Sequence, residues 1–208
     1  MNIIKMALGY IGTNCYLAWP ENSKEAIIVD PAEFSPTIVK KIEENELSLK
    51  YIILTHGHYD HIGGVDELMR VFPDAKLVAS KEESTALADP NINHTLQYLG
   101  RSVSLIPNIE VSDGDNLPLG DDTLKIISTP GHTKGGISIY VDGVLFSGDT
   151  LFRSSIGRTD LPGGDYMEIL SSIRDKLYVL PDETKVLPGH MEASTIAFEK
   201  ANNPFAKG

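Results

Sequence analysis

A short apolar run that opens into a histidine cluster constrains this chain more than any other stretch. Residues 51–54 read Tyr-Ile-Ile-Leu, which predicts a buried strand. The sequence His-x-His-x-Asp-His follows at residues 56–61, and after two glycines the segment 65–72 has the apolar spacing of a helix. Imidazole nitrogens and carboxylate oxygens are donors that zinc, iron and manganese bind. The loop between this strand and this helix therefore predicts a metal site rather than a solvated polar loop.

The spacing inside the loop indicates how its donors are arranged. Alternate side chains of an extended backbone share a face of the chain. We therefore expect His56 and His58 to converge on one point, and Asp60 and His61 to turn toward a second point.

Length, charge and cysteine content narrow the class of protein. The 208 residues fit one domain, 1–208, with a sizeable core. The formal net charge of -11 argues against nucleic acid or an anionic membrane surface as a partner. The sequence has no apolar run long enough to span a membrane, and its N-terminal stretch lacks the pattern of a signal peptide. Cys15 is the only cysteine, so no intrachain disulfide can form, and we expect a buried Cys15 and a cytoplasmic location.

Strand and helix patterns alternate along the whole chain. Three early strands with tight turns, at 3–8, 13–19 and 25–30, favour a meander that is antiparallel at least in part. Ser35 and Pro36 are typical of a helix start, as N-cap and first helical residue. The sequence Ser-Lys-Glu-Glu at residues 80–83 has the pattern of a capping box. This alternation is typical of an α/β layered domain.

Further candidate donors also stand just past predicted strands. His132 follows the strand 124–128, Asp149 follows the hairpin 137–147, and His190 follows the last strand. Loops at one edge of a sheet can bring such side chains together on a rigid frame. His94 lies outside these motifs, and we interpret it as a surface or packing residue.

Taken together, these motifs resemble the metallo-β-lactamase fold superfamily, and within it the short, single-domain bacterial proteins of glyoxalase II type. The resemblance runs from the early strands through residues 55–64, 131–133 and 148–150 to 189–190, which is nearly the whole chain. It implies a four-layer αββα sandwich, with two mixed central sheets and helices outside.

The resemblance also implies roles for the donors. It places one metal ion on His56, His58 and His132, a second on Asp60, His61 and His190, and Asp149 as a bridge between them. Two divalent ions, zinc by expectation and iron or manganese as alternatives, would share a hydroxide that attacks the substrate. Asp60 would orient that hydroxide, and Asp60 and Asp149 are the expected catalytic carboxylates. A thiolate leaves without a strong protein acid, which favours a small-molecule thioester such as S-lactoylglutathione as the substrate.

The chain departs from the two-domain glyoxalase II enzymes in several places. It ends eighteen residues after His190, so we expect it to lack their C-terminal helical domain, which helps to bind glutathione. Arg158-Thr-Asp160 stands where those enzymes carry Lys-x-Tyr. Arg158 is predicted to pair with a substrate carboxylate, or instead to brace its loop through Asp160 or Asp165. Met191-Glu192 replaces the Gly-Pro that usually follows the last histidine in the short bacterial proteins.

Two other functions remain open at this point. One is oxygen chemistry on a single iron, as in the persulfide dioxygenases, which are similar in sequence and also carry a motif like 157–160. The other is a non-catalytic or regulatory member of the fold, which the complete set of seven ligand positions disfavours.

Overall fold

Residues 1–207 are described by a computed structural model in which two six-stranded sheets form the middle of the molecule. The strands of the first sheet, in spatial order, are β1 (Asn2–Leu8), β2 (Thr13–Trp19), β3 (Glu25–Val29), β4 (Ser48–Ile53), β5 (Lys76–Ser80) and β6 (Ile109–Val111). The strands of the second sheet, in spatial order, are β7 (Asn116–Leu119), β8 (Asp122–Ser128), β9 (Ile137–Val141), β10 (Val144–Gly148), β13 (Lys185–Pro188) and β14 (Ser194–Thr195). A separate two-stranded ribbon consists of β11 (Leu151–Phe152) and β12 (Ser155–Ile156).

Both large sheets mix parallel and antiparallel pairs. The first three strands are antiparallel, and β3 to β6 are parallel. In the second sheet, β7 to β10 are antiparallel, β13 is parallel to β10, and β14 is antiparallel to β13. The antiparallel N-terminal meander predicted from the sequence is therefore confirmed.

The helices occupy the loops and the outer layers. They are α1 (Pro36–Glu44), α2 (Tyr59–Ile62), α3 (Val65–Val71), α4 (Ser84–Ala88), α5 (Thr95–Leu99), α6 (Tyr166–Ser171) and α7 (Ile196–Asn202). A 3-10 turn, Lys81–Glu83, precedes α4, and a π-helical segment, Ser172–Leu177, continues α6. None of the helices in residues 1–207 has the length and apolar character needed to cross a bilayer.

Three apolar clusters separate four layers. The first packs one face of the first sheet against α1 and α3, and it joins Ile28 to Ile38. The second lies between the two sheets, where Ile27 and Ile126 belong to the same cluster. The third, which contains Ile169, packs the second sheet against α6, the π-helical segment and α7. Neighbouring residues of a strand point to opposite faces, so Ile27 and Ile28 enter different clusters. The expected αββα sandwich is confirmed.

Local structure follows the sequence at some helix starts and departs from it at others. Ser35 caps α1 as predicted, because its Oγ accepts the Thr37 N–H at 3.2 Å. The metal loop has extended backbone at His58 and then forms the helical turn α2, which carries Asp60 and His61. Ser80 also caps its turn, but by accepting the N–H of Glu82. The Glu83 carboxylate accepts hydrogen bonds from Gly57, Thr133 and Gly135, so the capping box predicted at residues 80–83 is not formed.

Candidate metal centre

The loops that follow four strands meet at one edge of the sandwich. Residues 56–61 follow β4, His132 follows β8, Asp149 follows β10, and His190 follows β13. The donor atoms form three groups, each within 4.8 Å, namely His56 with His58 and His132, Asp60 with His61 and His190, and His56 with His61 and Asp149. The structure thus brings all seven predicted residues together, and their role as ligands stays a prediction.

Asp149 lies between the two outer groups. Its Oδ2 atom is 3.6 Å from Nε2 of His132 and 3.5 Å from Nε2 of His190. Its Oδ1 atom is 3.5 Å from Nε2 of His61. One carboxylate therefore faces histidines of both groups, which is the placement that a bridging ligand needs.

Several donor atoms in this cluster are buried without a hydrogen-bond partner. Among the described residues these include Nε2 of His56, Nε2 of His61 and Oδ1 of Asp149. Each unpaired buried polar atom costs about 1–3 kcal/mol of stability. The three atoms belong to one group within 4.8 Å, so a cation at their centre would satisfy them together. The residues present therefore fit a metal centre.

A buried carboxylate outside the predicted set fixes two of the histidines. Asp30 accepts the Thr55 N–H at 2.8 Å and the Thr55 hydroxyl at 2.7 Å. Because the Thr55 Oγ gives its proton to Asp30, it accepts from Nδ1 of His56, 3.1 Å away. Nδ1 of His61 donates directly to Asp30 at 2.9 Å. Both imidazoles consequently turn Nε2 into the centre, the nitrogen that would bind a metal ion there.

The sequence reasoning assigned no role to Asp30. Its position directly after the buried strand β3 was the available indication, since the other donors also follow strands. Its backbone lies in the left-handed region, with φ 50, which is uncommon outside glycine and typical of residues held by function.

The remaining histidines of the first group are also oriented. Nδ1 of His132 donates to the Arg158 carbonyl at 2.8 Å, which turns its Nε2 toward the other donors. That Nε2 lies 3.0 Å from Nδ1 of His58. Burial, followed by the neighbouring His132, lowers the pKa of His58 to about 3, so its imidazole is neutral near pH 7. Neutral imidazole is the form that binds metals.

The second group is rich in negative charge. Burial alone would raise the pKa of Asp60 and Asp149, but His61 and other facing imidazoles hold both pKa values below their usual range. Although burial lowers the pKa of His61, the carboxylates of Asp60, Asp149 and Asp30 raise it well above its ordinary value. Three carboxylates around one imidazole need a compensating positive charge, and a divalent cation would supply it.

Strand β2 anchors the loop that carries His190. The Asn14 side-chain amide donates to the Pro188 and Met191 carbonyls, each at 2.9 Å. The Tyr16 hydroxyl donates to the same Pro188 carbonyl at 2.7 Å. These contacts join the two sheets at the site and were not predicted from the sequence.

Gly189 makes the close approach at this point feasible. A Cβ atom there would lie 2.3 Å from Oδ1 of Asp149 and 2.7 Å from Cε1 of His61. Any larger residue before His190 would displace candidate ligands.

A cavity of about 490 Å³ opens beside the donor cluster. Its apolar lining consists of Ile11, Phe152, Ile156, Leu161 and Met191. An aromatic cluster completes the wall, in which the rings of Tyr59 and Tyr98 stack with centroids 4.6 Å apart. His94 belongs to this cluster, with its ring centroid 6.0 Å from that of His58. The interpretation of His94 as a surface or packing residue missed its place on the cavity wall.

Arg158 also lines the cavity, and its guanidinium is already paired. Its Nε and Nη2 atoms donate to the two oxygens of Asp160 at 2.8 and 2.7 Å. The side chain of Arg158 remains 60% exposed, so it is accessible from the cavity. The structure therefore shows the loop-bracing contact predicted as one alternative, and the substrate contact stays a prediction.

A wider cleft of about 760 Å³ lies between the π-helical segment and α7, with Arg174, Tyr178 and Lys200 in its wall. It contains none of the seven candidate ligands. The cavity of about 490 Å³ is lined by five of the seven, namely His58, Asp60, His132, Asp149 and His190.

The chain is similar in sequence to a known protein family and to individual members of it. The family model described as the Metallo-beta-lactamase superfamily matches residues 8–190. The hydroxyacylglutathione hydrolase GloC of Haemophilus influenzae is 36% identical over 215 residues, covering 99% of this chain and 98% of its own.

Two solved structures are similar over nearly their whole length. The structure described as BLEG-1 B3 metallo-beta-lactamase has a TM-score of 0.91 and 36% identity, and the match covers 100% of both chains. The structure of TTHA1623 in a di-iron-bound form has a TM-score of 0.84 and 29% identity, with 97% of this chain and 99% of its own covered.

Proposed function

The chain belongs to the metallo-beta-lactamase superfamily of metallo-hydrolases, and we propose that its reaction is the hydrolysis of small-molecule thioesters. The proposed substrate class is an S-2-hydroxyacyl derivative of a low-molecular-weight thiol, with S-lactoylglutathione as the representative. The observation that carries this proposal is the cluster of seven buried or half-buried donor residues beside a cavity of substrate size. The full-length similarity to a hydroxyacylglutathione hydrolase supports the substrate class.

The proposed cofactor is a pair of divalent ions. His56, His58 and His132 would hold one ion, Asp60, His61 and His190 the other, and Asp149 would touch both. Bound there, the ions would supply a hydroxide at neutral pH and polarise the substrate carbonyl. Zinc is the first candidate, and iron or manganese fits the same donors. The di-iron form of the similar TTHA1623 supports iron as an alternative to zinc.

The protein side chains orient the reacting groups. Oδ2 of Asp60 accepts the Thr13 hydroxyl at 3.2 Å and lies 3.1 Å from Nε2 of His190. Its carboxylate is therefore fixed within the second donor group, where it can accept a hydrogen bond from an attacking water. Asp149 faces both groups, with His61 of one group 3.5 Å and His132 of the other 3.6 Å from its carboxylate oxygens.

The cavity lining supports an amphipathic substrate. Apolar residues such as Phe152 and Met191 can cover the hydrocarbon part of an acyl group or thiol carrier. His94 and Arg158 offer hydrogen-bond donors for a hydroxyl or carboxylate on the same molecule. We extend the proposal to a cytoplasmic site of action, because glutathione keeps thiols reduced in that compartment.

Two competing activities have specific support. The similarity to BLEG-1 favours β-lactam hydrolysis as a second candidate. The motif 157–160, which the persulfide dioxygenases also carry, keeps persulfide oxidation on a single iron as the third candidate.

A panel of three assays separates these activities. Zinc-loaded protein is tested for thiol release from S-lactoylglutathione and for ring opening of a chromogenic β-lactam, and iron-loaded protein for oxygen uptake with glutathione persulfide. The proposal predicts that the thioester has the highest kcat/KM. A higher kcat/KM for the lactam would contradict the proposal in favour of β-lactam hydrolysis. Persulfide-dependent oxygen uptake without thioesterase activity would contradict it in favour of persulfide oxidation.

A further inference from the structure

Glu83 is a buried carboxylate that contacts two of the loops carrying candidate ligands. It is only 3% exposed. Its Oε2 atom accepts the Gly57 N–H at 3.0 Å, in the middle of the His56-x-His58 segment. Its Oε1 atom accepts the Gly135 N–H at 3.0 Å and the hydroxyl of Thr133, next to His132.

We propose that Glu83 is a positioning residue that sets the spacing between the His56–His58 loop and the His132 loop, and thereby the affinity for the metal ion held by these three histidines. The inference rests on the metal centre of the proposed function and is independent of its substrate. Glu83 itself does not reach the donor atoms, so it acts through the two loops.

The nature of the contacts supports this role. An ionised carboxylate that accepts hydrogen bonds makes stronger and shorter bonds than a neutral acceptor. A buried carboxylate without such donors would be strongly unfavourable, so the three donors and Glu83 are held together. Glu83 lies 26 positions from Gly57 and 50 positions from Thr133 along the chain, and its carboxylate connects the two loops through direct hydrogen bonds.

The local sequence is adapted to this approach. A Cβ atom at position 57 would lie 2.9 Å from Oε2 of Glu83, so glycine allows the carboxylate to reach the backbone there. Glu83 also stands at the position where a capping box would return its side chain to Ser80. In the structure the Glu83 carboxylate accepts hydrogen bonds from the two loops instead, and the Ser80 hydroxyl donates to the Glu82 carboxylate at 2.9 Å.

The substitution Glu83→Gln tests the role without changing the shape of the side chain. Both carboxylate oxygens accept a backbone N–H, so either orientation of the amide turns its NH2 group toward a second donor. One loop must therefore lose its bond. Glu82→Gln is the matched control, because Glu82 is the exposed neighbour in the same turn.

The measurement is zinc affinity by competition with a chromophoric chelator, together with the visible absorption spectrum of the cobalt-loaded protein. We expect Glu83→Gln to weaken one of the two metal sites by about 10–100-fold, the usual effect of removing a group that orients ligands. The cobalt spectrum should change with it, and Glu82→Gln should match the wild type in both.

A folded Glu83→Gln protein with wild-type zinc affinity and cobalt spectrum would overturn the proposal. If Glu83→Gln does not fold, the zinc affinity of Thr133→Ala tests the proposal in its place. This variant removes one donor to Glu83 and leaves the carboxylate in place. Reduced affinity in Thr133→Ala supports the proposal, and unchanged affinity overturns it. Failure of the wild-type protein to bind zinc, iron or manganese would instead contradict the proposed function.

Discussion

Asp30 and His61 form a buried pair, with Oδ2 of Asp30 2.9 Å from Nδ1 of His61. The two residues are 31 positions apart and come from different loops. Because Nδ1 of His61 donates to the carboxylate, Nε2 of His61 is left to face Asp149 and Asp60. The pair therefore determines which nitrogen of His61 is offered to the candidate metal centre.

Replacing Asp30 by Asn should weaken metal binding. The Asn amide cannot accept from both Thr55 N–H and His61 Nδ1–H, so either Thr55 or His61 loses its partner. We expect zinc affinity to fall about 10–100-fold and the free energy of unfolding to fall by about 1–3 kcal/mol. Chelator competition and denaturant unfolding measure the two effects. Asp74→Asn, at an exposed position, is the control, and equal affinities of the two variants would exclude this role.

Replacing Arg158 by Ala should raise KM more than it lowers kcat for S-lactoylglutathione, if the guanidinium contacts the substrate. The companion variant Asp160→Ala removes the ion-pair partner and leaves Arg158 free to bind. It should leave KM near the wild-type value. An unaltered KM in Arg158→Ala would show that the residue is structural, as would equal KM increases in both variants.

Replacing Gly189 by Ala should displace candidate ligands of the metal centre and weaken zinc binding. The added Cβ would fall 2.3 Å from Oδ1 of Asp149, so the carboxylate or His61 must move. Overpacking of this kind costs about 1–3 kcal/mol. Zinc should raise the melting temperature of the wild type by mass action and raise that of Gly189→Ala much less. Equal zinc-dependent shifts would contradict the packing argument.

Replacing His94 by Asn should affect substrate binding and leave metal binding unchanged. His94 has a left-handed backbone, with φ 65, which Asn tolerates well, so the change removes the ring with little strain. Loss of one hydrogen bond to the substrate predicts a KM increase of about 2–10-fold. Steady-state kinetics and zinc content are the measurements, and Gln97→Ala, exposed on α5, is the control. Wild-type KM in His94→Asn would remove His94 from the binding wall.

Much of the architecture could be predicted from the sequence because its causes are local. Apolar runs bounded by turn residues located the strands, and Ser35 with Pro36 located the start of α1. The seven candidate ligands could be named because each follows a strand and carries a metal-binding side chain. Their convergence was an inference from loops sharing a sheet edge, and the structure places them within reach of one another.

The supporting residues could not be predicted in the same way. Asp30 and Glu83 act through contacts with loops at least 25 residues away, and neither lies in a motif with a metal-binding pattern. Glu83 even fitted a different local pattern, the capping box, which its contacts with Gly57 and Thr133 override. His94 had no apparent role because its place on the cavity wall depends on how residues 89–108 fold back.

The most direct test of the account is thiol release from S-lactoylglutathione by zinc-loaded wild-type protein and by the Asp149→Ala variant. The account predicts ready release by the wild type, its loss on chelation and its return when zinc is restored. Because Asp149 faces both donor groups, the variant should hold less zinc and release thiol at least about a hundredfold more slowly. No thiol release by fully zinc-loaded wild type would contradict the assignment of a thioester hydrolase.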